Sequence, residues 1–250
     1  MQMQPKHGAV QLCESVHLGC EAGSVRKVCP INRFNPNDAK PTIIACSAVL
    51  SRGDHLFRQG DALKDLYVLH AGSLKSYFSR PDGPDHVVKF YLPGDLVGLD
   101  GLADDRHSTS VQALETISFC RIAVHPMTCC SLTSPKFHWD LLKLASQEMV
   151  GEHERVEILA QRDASERLAL FLLQLSQRYG KRGFSQYEFN LSMSRRDIGN
   201  FLALTAETVS RTFSHFERNG LVKVNRRRIR LLSLEALGQV IAPGRQLLAQ

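Results

Sequence analysis

Residues 193–220 read MSRRDIGNFLALTAETVSRTFSHFERNG, and this stretch predicts two short helices joined by a tight turn. Ser194 and Asp197 have the spacing of a capping box, which predicts the start of the first helix. Thr205 ends a three-residue connection and is the predicted N-cap of the second helix. That helix has an apolar face and is predicted to end at Asn219-Gly220. Helix, short turn and amphipathic helix together form the helix-turn-helix pattern of DNA-binding domains.

The second predicted helix carries polar side chains on the face opposite its apolar stripe. Glu207, Ser210 and Arg211 are spaced i, i+3 and i+4, so they share one face and can enter a major groove together. Arginine can bond guanine through O6 and N7, glutamate can accept from cytosine N4, and serine can contact a base or a phosphate. The alternative is an intrahelical pair between Glu207 and Arg211 on a surface helix. The preceding helix favours base readout.

Positive charge is concentrated in the same part of the chain. Residues 195–230 hold nine basic and three acidic side chains, so this segment accounts for the whole net charge of +6. A confined basic patch is typical of a protein that binds a polyanion, and a solvated charged face is the alternative. After Gly220, two apolar stretches (221–224 and 229–232) flank Asn225-Arg226-Arg227-Arg228. This arrangement predicts a wing hairpin whose arginines, Arg227 among them, contact phosphates.

The composition predicts a globular protein. At 250 residues, with 43% apolar and 22% charged side chains, the chain can bury a normal core in one large domain or two modest ones. No apolar run approaches the ~18 residues of a membrane span, and the first ten residues lack the apolar core of a secretory signal. We therefore expect a soluble cytoplasmic protein. No catalytic triad, phosphate loop or catalytic zinc motif is recognisable, so we do not expect an enzyme.

The chain before the DNA-binding pattern divides into an arm and a β-rich region. Residues 1–41 form an irregular arm with three cysteines, and residues 42–134 are expected to form a β-barrel sensor domain. Tyr67–Leu69, Leu74–Phe78 and Val87–Tyr91 have strand composition and are separated by turns rich in glycine, proline and aspartate. Short strands at this spacing predict an antiparallel barrel or sandwich.

A long helix is predicted over residues 135–161, before a DNA-binding domain over 162–250. Its apolar residues recur at spacings of three, four and seven, with Glu152 in the slot that the spacing of seven leaves open. This pattern is typical of a helix that meets a partner helix, and a helix packed on its own domain is the alternative. We assign the dimerisation seam to Leu142, Ala145, Met149, Glu152, Val156 and Leu159. A further helix is predicted from its N-cap Asp163 to Gly180.

The seven cysteines do not suggest a disulfide framework, because their number is odd and no secretory signal is present. In a reducing compartment, clustered cysteines are more often metal ligands or reactive thiols. We interpret Cys46, Cys129 and Cys130 as ordinary small apolar residues. The remaining four are Cys13, Cys20, Cys29 and Cys120.

Several stretches of the sequence resemble the CRP/FNR transcription regulators. In the C-terminal part they are Phe184-Ser185, 193–202 (MSRRDIGNFL) and 207–211 (ETVSR), and upstream they are 56–61 (LFRQGD), 72–76 (GSLKS), 94–98 (GDLVG) and 112–116 (QALET). The upstream stretches resemble the FNR branch, and the resemblance covers roughly Cys20 to the end. It implies an α+β chain with a cyclic-nucleotide-binding-like β jelly roll, a long dimerisation helix and a C-terminal winged helix-turn-helix.

The same resemblance implies a homodimer that binds palindromic promoter sites in double-stranded DNA and works with RNA polymerase. It adds Thr208 and Arg195, which lie inside the matched stretches, to the expected DNA contacts. CRP-like members have an arginine before the recognition glutamate, where this chain has Ala206. In this respect the chain is similar to FNR-like readers of TTGAT-type half-sites.

The resemblance also allows a prediction of whether the sensor domain binds a cyclic nucleotide. Cyclic-nucleotide binders of the family present a glutamate shortly after a turn glycine, and an arginine that holds the cyclic phosphate. This chain has Gly98-Leu99 and His107-Ser108 at those positions, with Arg106 adjacent. We therefore do not expect a cyclic nucleotide.

FNR-like members hold a [4Fe-4S] cluster with three N-terminal cysteines, spaced Cys-x2-Cys-x5-Cys, and one cysteine in the barrel. Cys20 and Cys29 match the outer two, Cys120 matches the barrel cysteine, and the middle position is Gly23. We expect Cys13 to replace the missing ligand; weaker substitutes are Glu14, His17 and Glu21. The resemblance thus implies control by oxygen through the cluster. The alternatives are a regulator of the same fold without a cluster, acting by thiol redox chemistry or another effector, and a cysteine-based redox enzyme or carrier.

Overall fold

The computed structural model describes residues 44–79, 83, 85–124, 135–160 and 163–241. The chain forms two compact units, of which the first ends at Leu144 and the second begins at Ala145. The boundary falls inside the long helix α1 (Pro135–Ala160), which corresponds to the helix that the apolar spacing predicts. Within the described ranges, no helix combines the length and the hydropathy needed to cross a membrane.

The first unit contains two four-stranded antiparallel sheets. Their orders are β1-β8-β3-β6 and β2-β7-β4-β5. The strands are β1 (Ile44–Leu50), β2 (His55–Phe57), β3 (Asp65–Ala71), β4 (Leu74–Phe78), β5 (His86–Tyr91), β6 (Leu96–Val97), β7 (Ser110–Ala113) and β8 (Ile117–Ala123). The predicted antiparallel arrangement is confirmed, and the three stretches with strand composition lie in β3, β4 and β5.

Alternation along β8 separates two apolar clusters. Phe119 belongs to a cluster that draws residues from both sheets, such as Phe57 and Leu69, and therefore fills the space between them. Cys120, the next residue, belongs to a cluster built from the first sheet alone. Leu141 and Leu144 of α1 pack against this second cluster. Cys120 thus lies on the face of the sheet that the beginning of α1 covers.

The second unit combines helices with a small antiparallel sheet. Its elements are α2 (Ala164–Lys181), β9 (Glu188–Asn190), α3 (Arg195–Leu202), α4 (Ala206–Arg218), β10 (Val222–Asn225), β11 (Arg228–Leu231) and α5 (Leu234–Val240). The sheet has the order β10-β11-β9. Asp163 caps α2 in a capping box with Glu166, which confirms the predicted N-cap. The helix ends one residue beyond the predicted Gly180.

The wing is tighter than the sequence pattern predicts. Asn225 and Arg228 pair with each other at the end of the β10–β11 ladder, so the turn contains only Arg226 and Arg227. Arg226 adopts a left-handed backbone conformation, with φ of 55°. Two-residue hairpin turns require positive φ and usually contain glycine, asparagine or aspartate. An arginine pair carries no such signal, which is why the predicted turn was too wide. Strand β9 and helix α5 were not predicted.

Candidate nucleic-acid interface and sensor site

The first helix of the DNA-binding pattern begins with a reciprocal cap. The Asp197 amide donates to Ser194 Oγ over 3.0 Å, and the Ser194 amide donates to Asp197 Oδ2 over 3.2 Å. The predicted capping box is therefore confirmed, with aspartate in the place usually held by glutamate or glutamine. This cap fixes where α3 begins, and its apolar residues Ile198 and Leu202 are fully buried.

Gly199 allows α3 and α4 to approach each other closely. The Leu204 amide donates to the Gly199 carbonyl over 2.8 Å, and Ala203 turns the chain with φ of 55°. A Cβ added at Gly199 would lie 2.7 Å from the Leu204 carbonyl oxygen, a distance that side-chain carbons do not tolerate. Sequence reasoning gave this glycine no role, although a glycine inside a predicted helix is a usable signal of close backbone packing.

The second helix is capped by Thr205, as predicted. Its Oγ1 accepts from the Thr208 amide over 3.1 Å and lies 2.9 Å from Thr208 Oγ1. Thr208 is half-buried and its hydroxyl is part of this cap. Glu207 occupies the first turn of the helix, where a negative charge stabilises the helix dipole.

Helix α4 buries one face and exposes the three predicted base-reading residues on the other. Val209, Phe213 and Phe216 are buried, whereas Glu207, Ser210 and Arg211 are exposed. Arg211 Nη2 lies 2.5 Å from Glu207 Oε1, so the intrahelical pair is present in the DNA-free chain. Ser210 Oγ donates to the Ala206 carbonyl over 2.9 Å, which leaves its lone pairs available as acceptors.

The intrahelical pair does not prevent base readout. An exposed i,i+4 ion pair contributes about 0.3–0.5 kcal/mol, because water and salt screen it. A bidentate arginine–guanine contact discriminates against a wrong base by about 1–3 kcal/mol. The pair is thus weaker than the contact that it competes with, and it does not keep the Arg211 side chain from a guanine.

Arg195 has a packing contact that its sequence position does not reveal. Its guanidinium carbon lies 3.6 Å from the centre of the Phe213 ring, so the side chain joins the start of α3 to the middle of α4. Burial lowers the pKa of the Arg195 guanidinium, which nevertheless stays charged because arginine does not deprotonate in proteins. Its role as a DNA contact stays a prediction, and the structure adds a role in orienting α4.

The wing is tied to α4 and presents exposed arginines. The Val224 amide donates to Glu217 Oε1 over 2.8 Å, and Arg228 forms an ion pair with Glu188 of β9. Arg226 and Arg227 in the turn are exposed. Arg227 is thus placed on the surface, where it can contact a phosphate without disturbing another element.

Arg211 and Arg227 are expected to contribute differently to DNA binding. Arg211→Ala removes a base contact, so it should cost about 1–3 kcal/mol on a specific half-site and change binding to unrelated DNA little. Arg227→Ala removes a phosphate contact, so it should weaken both complexes and reduce their salt dependence. Titrations of specific and scrambled duplexes at several salt concentrations measure these effects. Equal losses on both duplexes for Arg211→Ala would contradict its assignment as a base reader.

In the first unit, the predicted ligand Cys120 lies in β8 and its side chain is 6% exposed. Its sulfur is a thiol rather than half of a disulfide, and it lies 2.9 Å from His70 Nε2. Burial lowers the pKa of His70, which favours the neutral imidazole. A buried sulfur within hydrogen-bond distance of an imidazole nitrogen suits a thiolate ligand of an iron–sulfur cluster, so Cys120 fits one corner of such a site.

The other predicted ligands, Cys13, Cys20 and Cys29, lie outside the described residues. Within the ranges that the structure describes, no group of three or more histidine, cysteine, aspartate or glutamate side chains is arranged to hold a metal ion.

The turn that corresponds to the family's cyclic-nucleotide site is held together by Asp100. This carboxylate accepts from His107 Nδ1 over 3.3 Å, from Ser108 Oγ over 3.2 Å and from the Thr109 amide over 3.0 Å. Burial by itself would raise the pKa of Asp100, but the hydrogen bonds from His107 and Thr109 hold it below its ordinary value. His107 also stacks on Phe57, with ring centres 3.5 Å apart. The polar groups of this turn are thus engaged with one another.

Four of the six predicted seam residues of α1, three apolar ones and Glu152, are exposed in the single chain. Leu142, Met149 and Val156 are 60%, 63% and 64% exposed, and Glu152 lies between the last two. Ala145 and Leu159 are half-buried. Glu152 Oε2 lies 4.0 Å from Arg155 Nη1 of the same helix. Exposed apolar residues on one helix mark an interaction surface, and the assignment to a dimer seam stays a prediction.

Comparison with known proteins agrees with both halves of this description. The Crp-like helix-turn-helix domain family matches residues 166–240, and the cyclic nucleotide-binding domain family matches residues 48–128. Electron transport regulator A of Shewanella oneidensis is 37% identical over 83% of this chain and 84% of its own length. The fumarate and nitrate reduction regulatory protein of Escherichia coli is 36% identical over 89% of this chain and 90% of its own length. The structure of FixK2 from Bradyrhizobium japonicum has a TM-score of 0.72 and 25% identity, covering 80% of this chain and 98% of that one.

The fold and the exposed face of α4 define a DNA-binding transcription regulator with a winged helix-turn-helix. The chain belongs to the CRP/FNR family. The α+β fold that the sequence resemblance implies is confirmed.

Proposed function

We propose that this protein is a homodimeric FNR-type regulator that binds DNA while it holds a [4Fe-4S] cluster and releases DNA when oxygen destroys the cluster. The relatives named fumarate and nitrate reduction regulatory protein support this branch of the family. The observation that carries the DNA-reading part is the exposed set Glu207, Ser210 and Arg211 on a capped helix. Its targets are palindromic promoter sites with TTGAT-type half-sites. The protein acts in the cytoplasm, and RNA polymerase is its further partner at the promoter.

Cys13, Cys20, Cys29 and Cys120 would hold the cluster. When bound, the cluster supplies an oxygen-labile link between the arm of residues 1–41 and strand β8. Strand β8 is an inner strand, paired with β1 on one side and β3 on the other. Cys120 therefore stands on a rigid element, which is what a ligand at the fixed end of such a link requires.

The helix α1 would convert this link into DNA binding. Its exposed seam residues would meet their copies across a two-fold axis in the dimer. A dimer places two copies of α4 in successive major grooves, about 34 Å apart along the DNA. A monomer presents only one recognition helix and loses most of its affinity for the palindrome.

Protein purified without air provides the test. We expect the broad visible absorption of an iron–sulfur cluster, equal amounts of iron and acid-labile sulfide, and tight binding to a palindromic TTGAT duplex. Exposure to air should remove the absorption, the dimer and the specific binding together. A colourless anaerobic protein, or a cluster whose loss leaves the dimer and DNA binding unchanged, would contradict the proposal.

A regulator of the same fold that acts by thiol chemistry is the second candidate function. The contact between His70 and Cys120 favours it, because an imidazole nitrogen that accepts the thiol proton would leave the sulfur as the reactive thiolate. Such a protein would be colourless without air, and its DNA binding would respond reversibly to thiol reductants. A redox enzyme or carrier would instead show turnover or electron transfer that does not depend on DNA.

A further inference from the structure

His70, which contacts Cys120, stands at an irregularity in β3. Val68 pairs with Cys120 and Leu69 with Phe119, and the next paired residue of β3 is Ala71, opposite Ser118. His70 is therefore the extra residue of a β-bulge between Leu69 and Ala71. Bulges redirect a side chain relative to regular pairing, and they occur often beside functional sites.

The distance between the two atoms bears on the kind of contact. His70 Nε2 lies 2.9 Å from Cys120 Sγ. This separation is within hydrogen-bond range, and a cysteine sulfur can accept from an imidazole N–H. His70 is therefore a candidate donor to this sulfur, and direct ligation of iron by His70 is the alternative that an experiment must exclude.

We propose that His70 donates its Nε2–H to the Cys120 sulfur in the cluster-loaded protein, and that it thereby positions this ligand and raises the reduction potential of the cluster. This inference rests on the proposed function. Reduction places more negative charge on the ligand sulfurs, so a hydrogen-bond donor stabilises the reduced form more than the oxidised form. The 6% exposure of Cys120 strengthens the effect, because little water competes for the sulfur.

Two substitutions of similar size separate the hydrogen bond from packing. His70→Gln keeps a nitrogen donor at about the position of Nε2, whereas His70→Leu fills similar space without a donor. His70 is half-buried, so both changes should leave the β-sandwich folded. A thermal melt of each variant close to that of wild type confirms this before the cluster is measured.

The first measurement is the reduction potential of the anaerobic proteins, after their iron and sulfide contents have been determined. All three proteins should hold equal iron and sulfide. At a fixed potential, the ratio of oxidised to reduced cluster should rise about tenfold in His70→Leu, which corresponds to a shift of about 59 mV to lower potential for a one-electron couple. His70→Gln should lie near wild type.

Other results would overturn the inference in distinguishable ways. An unchanged potential in a fully loaded His70→Leu would show that no such hydrogen bond acts on the cluster. Equal shifts in both variants would assign the effect to packing, and loss of iron from both would make His70 a ligand. Absence of iron and sulfide from wild type would refute the proposed function itself, and the inference with it.

A second measurement detects the histidine nitrogen directly in wild type, with His70→Gln as the control. Electron–nuclear double resonance of the reduced cluster, with histidine labelled by nitrogen-15, should show a weak nitrogen coupling that is absent from His70→Gln. A strong coupling, typical of a direct iron–nitrogen bond, would replace the hydrogen bond by ligation. If no nitrogen coupling depends on His70, the imidazole does not contact the cluster sulfur. Either of these two results overturns the inference.

Discussion

Glu152→Ala should be dimeric and able to bind specific DNA in air, without iron. Glu152 occupies the seam position between Met149 and Val156, so in a symmetric dimer it approaches its own copy. Two carboxylates about 6 Å apart repel by on the order of 2–3 kcal/mol at an effective dielectric constant of 20, before screening by salt. This is similar to the 1–3 kcal/mol that typically couples two sites in a regulated protein. We therefore predict that Glu152 keeps the cluster-free protein monomeric.

The structure adds a competing influence on this charge. Arg155 lies within 4.0 Å of Glu152 on the same helix, and its guanidinium carbon is 5.6 Å from the centre of the Phe201 ring. The arginine offsets part of the repulsion, so the Coulomb figure is an upper bound. Glu152→Ala leaves the positive charge of Arg155 in place. Arg155 lies beside the seam, so it would repel the Arg155 of the other protomer only weakly.

Sedimentation of the aerobic proteins measures the prediction. Glu157→Ala is the matched control, because it removes the same charge from an exposed position on another face of α1. The dimer association constant should rise by at least tenfold in Glu152→Ala and stay near wild type in Glu157→Ala. Equal dimer fractions in Glu152→Ala and wild type would show that this charge does not oppose dimerisation.

Serine in place of any one of the four predicted ligands should abolish anaerobic iron binding. Cysteine thiolates hold the iron in such clusters, and a serine hydroxyl is a harder and less acidic ligand. The residues to change are Cys13, Cys20, Cys29 and Cys120. Cys120 is buried beside His70, so a large change of side chain there would disturb the packing. Serine is close to cysteine in size and therefore tests the sulfur itself.

Cys46→Ser and Cys129→Ser are the controls and should leave iron binding intact. Iron and acid-labile sulfide, measured on protein purified without air, decide the outcome for each variant. The Cys13→Ser result is the most informative, because we predict that this residue replaces the ligand missing at Gly23. Full iron and sulfide in Cys13→Ser would remove it from the site and indicate a different fourth ligand.

Local features of this fold could be predicted from short stretches of sequence. The capping box at Ser194 and the caps at Asp163 and Thr205 each depend on residues at most three positions apart. The same holds for the exposed face of α4, which follows from a helical period of 3.6 residues. Once the ends and the period of these helices are known, the predicted base-reading residues necessarily share one surface.

The wing turn shows where such local reasoning ends. Its flanking strands have an apolar pattern, but the pairing of Asn225 with Arg228 is set by the register of β10 and β11. That register also involves β9, because Phe189 pairs with Ile229. A strand of three residues has too short a pattern to be recognised, so β9 and the width of the turn emerged only from the assembled sheet.

The contacts that orient the candidate sites join residues that are distant in the sequence. His70 meets Cys120 across 50 positions, Arg195 stacks on Phe213 between two helices, and Glu217 accepts from the wing at Val224. The family resemblance predicts Cys120 as a ligand, and the caps and helical period predict α4 as a recognition helix, since both rest on short stretches of sequence. The neighbours that position them depend on strand register and helix packing, which arise from the cooperative burial of the whole core rather than from any one segment.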